Sequence, residues 1–110
     1  MLAAFSVSPS GGPLPGGPAA GSAPDSVTEA VAAALRVVRA SGLPNRTDSM
    51  FTTVEGDWDE VMAVIRGACE AVAAYGPRVS LVLKADIRPG HDGELTGKVQ
   101  RVEAAVSRDV

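Results

Sequence analysis

The sequence has few of the residue types that usually carry chemistry. Its 110 residues include one cysteine, Cys69, and one histidine, His91. A lone thiol excludes an intramolecular disulfide framework and a cysteine-cluster zinc site. Aromatic residues make up 4%, too few for a base-stacking platform. Ten Lys and Arg stand against 13 Asp and Glu, a net charge of -3. The basic footprint of a nucleic-acid binder is therefore missing. No apolar run approaches the ~18 residues that a membrane span needs. No Lys or Arg precedes Arg36, so the positive start of a secretory signal is absent. These features place the chain in the cytoplasm, off the membrane, with a reduced thiol.

Hydrophobic residues make up 45%, which excludes an intrinsically disordered chain. The length fits one domain over residues 1–110. A chain of this size buries roughly two-thirds of its unfolded surface, so it holds a core without staples. Glycine and proline concentrate between Ser10 and Pro24, where five Gly and four Pro occur. That composition predicts a flexible loop over 10–24. A phosphate-cradling role is disfavoured, because the prolines remove amide donors and no Gly-Lys-Ser/Thr ending follows Gly16.

Residues 1–8 read as a strand ending at Pro9. Ser26-Val27-Thr28-Glu29 has the form of a capping box. Val27, Val31, Ala34, Leu35 and Val38 then recur on one helical face, and Gly42 suits a C-cap, so a helix is expected over 26–41. Residues 46–55 are rich in Thr and β-branched types and read as extended, as two strands about a tight turn. Asp57-Trp58-Asp59-Glu60 forms a second capping box. It opens a helix carrying Val61, Ile65, Ala68, Val72 and Tyr75 on one face, stopped by Gly76-Pro77. Residues 78–88 predict a strand with Val79, Leu81, Leu83, Ala85 and Ile87 on one face and Ser80, Val82, Lys84, Asp86 and Arg88 on the other. Val99, Val102, Ala105 and Val106 predict a short last helix. The resulting order predicts an α+β, ferredoxin-like βαββαβ sandwich: a four-stranded antiparallel sheet, two helices on one face, and an extra C-terminal helix. The mixed second face of the sheet points to cover by another subunit, in a homodimer or homotetramer.

No nucleophile–base pair or metal-ligand spacing is present, so neither an enzyme, a cofactor nor a metal is expected. His91 lies in a Pro-Gly/Asp-Gly loop and reads as a solvent residue. Cys69 reads as an inert helix residue, and Trp58 as a staple or subunit contact. The polar residues on or beside strands are more informative: Ser6, Ser8, Thr47, Asp48, Thr52, Thr53, Glu55, Lys84 and Asp86. Either they face solvent and pair with Lys84, Arg46 and Arg88, or they form a pocket for a small, positively charged, hydrogen-bonding ligand.

Four stretches carry a resemblance: Phe5-Ser6-Val7-Ser8-Pro9, Ser41 to Asp48, Met50-Phe51-Thr52-Thr53-Val54-Glu55-Gly56 running into Asp57-Trp58-Asp59-Glu60-Val61-Met62, and Arg78 to Arg88. In order and spacing they resemble the small thiamine-binding protein family related to YkoF. The resemblance implies a ferredoxin-like fold assembled as dimers or dimers of dimers, and binding of thiamine or its hydroxymethylpyrimidine part without catalysis. By position, Ser6, Met50, Thr52, Glu55, Lys84 and Asp86 match the family pattern. Thiamine joins an aminopyrimidine to a cationic thiazolium. Asp48, Glu55 or Asp86 would balance that charge. Ser6, Thr47 and Thr52 would bond ring nitrogens or the hydroxyethyl tail, and Met50 or Phe51 would pack on a ring. The alternative function is a homo-oligomeric interaction module with no small-molecule ligand.

Overall fold

The computed structural model describes residues 1–12, 14–17 and 27–108. The elements run β1 (Leu2–Ser10), α1 (Thr28–Ala40), β2 (Asn45–Thr47), β3 (Thr52–Glu55), α2 (Trp58–Ala73), β4 (Arg78–Asp86) and α3 (Glu94–Arg108). The four strands form one antiparallel sheet in the order β2-β3-β1-β4. This is the expected ferredoxin-like arrangement, with α3 added.

Register decides which residues share a face. Ala3 pairs with Val54 and with Ala85, and Phe5 with Thr52 and with Leu83. Because side chains alternate, these residues and Val7 look toward α1 and α2. Ala4, Thr53, Lys84 and Arg46 stand in one row on the other face, as do Leu2, Glu55 and Asp86. The core lies between the first face and the two helices. Ile65, Val38, Val54, Val61 and Val72 are its largest fully buried side chains. Ala3, Ala30, Ala34 and Ala68 are buried among them, and their small size lets helix and sheet approach closely. With Phe5 as the one aromatic buried in it among the described residues, the core is held mainly by close packing of many small groups.

The start of α2 is built as its sequence predicts. The Asp57 carboxylate accepts from the Glu60 amide at 2.8 Å, and the Glu60 carboxylate accepts from the Asp57 amide at 3.2 Å. Gly42 follows α1 with φ +75°, a left-handed conformation that glycine adopts without steric cost. Gly76 is required for a different reason. A Cβ there would sit 2.9 Å from the Ser10 carbonyl oxygen, so the end of β1 passes where only glycine fits.

Several expectations are corrected. β1 does not stop at Pro9 but runs to Ser10. Its pairing with β3 ends at Phe5↔Thr52, while its pairing with β4 continues to Ser10↔Arg78. Among the described residues, β1 therefore has an open edge from Ser6 onward, where a proline's missing N–H is tolerated. α1 begins at Thr28, with Val27 at the N-cap and no side-chain cap there. Ser26, the expected capping residue, lies outside the described residues, as does most of the predicted 10–24 loop. α2 ends at Ala73, so Tyr75 packs against the core from just beyond the helix. β4 ends at Asp86 rather than Arg88. α3 is not short: it has 15 residues, none of them buried. Its start is fixed by a carboxylate distant in sequence, since Glu55 accepts from the amides of Glu94 at 2.8 Å and Leu95 at 3.3 Å.

Candidate functional site

The open edge of β1 and the β2–β3 hairpin enclose the main candidate site. Asp48 shapes the hairpin turn. Its Oδ1 accepts from the Met50 amide at 2.8 Å and the Phe51 amide at 2.9 Å, an Asx turn. These two bonds, Met50 first, hold the Asp48 carboxyl below its ordinary value of 3.8. Across the hairpin the Thr47 and Thr52 hydroxyls meet at 3.0 Å. Thr52 is 7% exposed, so its hydroxyl is a buried polar group with one side-chain partner.

A slot of about 130 Å³ opens between this hairpin, β1 and α1. Phe5, Val7, Val31 and Leu35 form apolar walls, and Met50 and Phe51 stand at the turn. Thr47, Asp48 and Thr52 border it with polar side chains, while Ser6, whose hydroxyl alternates to the outer face with Leu2 and Ala4, lines it through its main chain. Small-molecule sites usually span ~300–1,000 Å³, so this slot suits one ring rather than two. Such a chamber combines flat apolar contact with hydroxyl and carboxylate hydrogen bonding.

The sequence-predicted set thus divides. Ser6, Thr47, Asp48, Met50 and Thr52 come together at the slot. Glu55, Lys84 and Asp86 do not join them, because register puts them on the outer sheet face. Glu55, 8% exposed, caps α3. Asp86 accepts from Lys98 Nζ at 2.7 Å. That bond and the Lys98 charge, with Arg88 and Lys84 adding to them, hold the Asp86 carboxyl below its ordinary value. Of the pairing partners that one of the two sequence readings offered, Lys84 and Arg88 act on Asp86 only through their charge, and its bonded partner is Lys98 of α3.

The spacing along α1 puts Val31 and Leu35 on one helical face with Ala34 and Val38. The buried face of α1 is Ala30, Ala34 and Val38, which leaves Val31 and Leu35 to line the slot. The apolar stripe of α1 is wider than its buried face needs, and that excess was the available signal. Trp58 is 56% exposed beside an open groove floored by Met1 and Gly56. Burial, with the Glu70 charge adding to it, pushes the Cys69 thiol above its ordinary 9.0, away from the thiolate that reactivity requires. Among the described residues no helix is long and apolar enough to cross a membrane, and no group of three or more His, Cys, Asp or Glu is placed to hold a metal.

The sequence model of the family described as "Thiamine-binding protein" matches residues 18–103. This chain belongs to the thiamine-binding protein family. A UPF0045 protein of Mycobacterium bovis is 51% identical over 109 residues, covering 98% of this chain and 96% of the relative. A UPF0045 protein of Synechocystis is 37% identical over 79 residues, covering 71% and 65%. Among solved structures, a hypothetical protein of Methanocaldococcus jannascii superposes with TM-score 0.74 at 26% identity, over 93% of this chain and 94% of that one. A Thermotoga maritima protein, whose name proposes a place in thiamine biosynthesis or salvage, superposes with TM-score 0.61 at 18% identity, over 91% and 99%. That second likeness concerns the fold. Together these neighbours establish the ferredoxin-like α+β architecture of this thiamine-binding family member.

Proposed function

We propose that this protein binds thiamine or its hydroxymethylpyrimidine moiety in the slot beside the β2–β3 hairpin, without transforming it, to buffer or deliver the vitamin in the cytoplasm. The observation that carries the reading is a ring-sized apolar slot bordered by hydroxyls and a carboxylate, in a chain of the thiamine-binding family. The pyrimidine ring lies between the Phe5–Val7 wall and Val31–Leu35. Its nitrogens and amine exchange hydrogen bonds with Thr47, Thr52 and the free main-chain edge of β1 near Ser6. The thiazolium remains at the mouth, where the Asp48 carboxylate balances its charge and Met50 packs on it. Glu55, Lys84 and Asp86 have no contact with the ligand in this arrangement.

Isothermal titration with thiamine and with hydroxymethylpyrimidine tests the reading. Saturable heat from both is expected, with Thr52→Val weakening both while the fold is retained. The absence of heat and of any thermal shift at millimolar ligand refutes it.

One observation favours a second reading, the homo-oligomeric interaction module. β4 is a nine-residue edge strand that exposes apolar residues on both faces: Leu81 and Leu83 on one, Val82 on the other. Exposed apolar edges of this kind usually meet a partner. Light scattering that returns a homodimer or homotetramer supports it, and a monodisperse monomer removes it.

A further inference from the structure

The outer face of the sheet holds a second cleft, separate from the ring slot. α3 crosses this face but does not pack down on it. It is tied at its first turn by Glu55 and one turn later by the Lys98–Asp86 pair. Between helix and sheet lies a cleft of about 300 Å³, within the ordinary range of small-molecule sites. Leu2 from β1 and Leu95 and Val99 from α3 give it apolar walls, and Arg46 and Thr53 give it a polar end.

Its polar groups differ in how far they are already engaged. Glu94 accepts from both terminal nitrogens of Arg101. Asp48 Oδ1 is taken by the two turn amides. Lys98 is bonded to Asp86. Arg46 differs: among the described residues no carboxylate forms an ion pair with it. A guanidinium offers five donors in a planar fork that matches carboxylate and phosphate. The groups left unengaged at this cleft are therefore the Arg46 guanidinium and the Thr53 hydroxyl beside an apolar trough, with Asp48 Oδ2, which accepts no bond from the described residues, toward the hairpin turn.

We propose that the α3 cleft is a second ligand site, taking a small amphiphilic anion. Its carboxylate or phosphate head lies on Arg46 and Thr53, and its short apolar body lies between Leu2, Leu95 and Val99. The site fills the space that α3, with no buried residue of its own, leaves over the sheet. A ligand body in the cleft also covers Val99, which is 50% exposed.

The test is a titration of the isotope-labelled full chain, followed by amide shifts, with hexanoate, hexyl phosphate, hexylammonium and hexanol as probes. At least one of the two anions is expected to give saturable shifts at Arg46, Thr53, Leu95 and Val99 with a Kd of about 1 mM or tighter. Which anion binds identifies the head group. Hexylammonium and hexanol are expected to give no saturable shift. Arg46→Gln is expected to weaken the anion roughly tenfold or more, the loss that follows from removing a hydrogen-bonded charge, and to leave thiamine titrations unchanged. Non-saturating shifts for both anions overturn the proposal. So does equal binding of hexylammonium, or an Arg46→Gln variant that binds the anion as the parent does. Failure of thiamine to bind bears only on the ring slot.

Discussion

Glu55→Ala isolates how α3 is held. The Glu55 carboxylate is 8% exposed and accepts from the Glu94 amide at 2.8 Å and the Leu95 amide at 3.3 Å. It thus serves as an N-cap supplied from another element. Side-chain caps contribute about 0.5–2 kcal/mol, and a hydrogen bond to a charged group about 1.5–3 kcal/mol. The second bond is long and the helix start is half-exposed, so water partly replaces what is lost. A cost of about 2 kcal/mol follows for keeping α3 docked. Because α3 buries no residue of its own, there is little apolar docking energy to offset that loss. Hydrogen exchange separates α3 from the rest. Protection of the α3 amides is expected to fall about 30-fold, the factor equivalent to ~2 kcal/mol. Amides of β1 and β3 are expected to change far less, since they belong to a more stable cooperative unit. Glu55→Gln keeps one acceptor oxygen and the side-chain shape, and an intermediate loss is expected. Unchanged α3 protection in Glu55→Ala refutes the capping argument. A loss shared equally with the sheet refutes the view that α3 opens by itself.

The hairpin turn carries a pH signature. Its amide bonds hold the Asp48 carboxyl below 3.8, so the turn's contribution is fully present above that value and fades as pH falls through the lower folded value. The Met50 and Phe51 amide shifts are expected to titrate with a midpoint under 3.8, and a midpoint at or above it contradicts the assigned bonds. Ile65→Ala empties a fully buried site and is expected to lower unfolding free energy in urea by about 2–5 kcal/mol; a loss below about 1 kcal/mol would mean that the core collapses around the gap. Gly76→Ala drives a methyl group against the Ser10 carbonyl, with an expected cost of about 1–3 kcal/mol. A melting temperature equal to the parent's would show that β1 moves aside freely.

The elements were legible because their signals are local. The Asp57 box, the α2 stripe and the Thr-rich hairpin each depend on neighbours a few residues apart, and each formed where its pattern lies. Element order then restricted the topology to the ferredoxin-like one, since short connections leave few alternatives. The site was legible only in part. Thr47, Asp48, Met50 and Thr52 lie within six residues of one another, so one turn gathers them whatever the rest of the chain does. Ser6 joins them through its main chain alone, because pairing between β1 and β3 stops at Phe5↔Thr52 while its hydroxyl alternates to the outer face.

Register is what composition and spacing leave open, because a one-residue slip exchanges the two faces of a strand. Here it sends Glu55 and Asp86 away from the slot and under α3. The single cysteine and single histidine make binding rather than catalysis the expectation from sequence. Which polar groups meet one ligand, and which spend themselves anchoring a helix 39 residues away, was decided only by strand pairing. The physical reason is range: caps, stripes and turns act over one or two turns of chain, whereas a pocket is built by residues that only the folded sheet brings together.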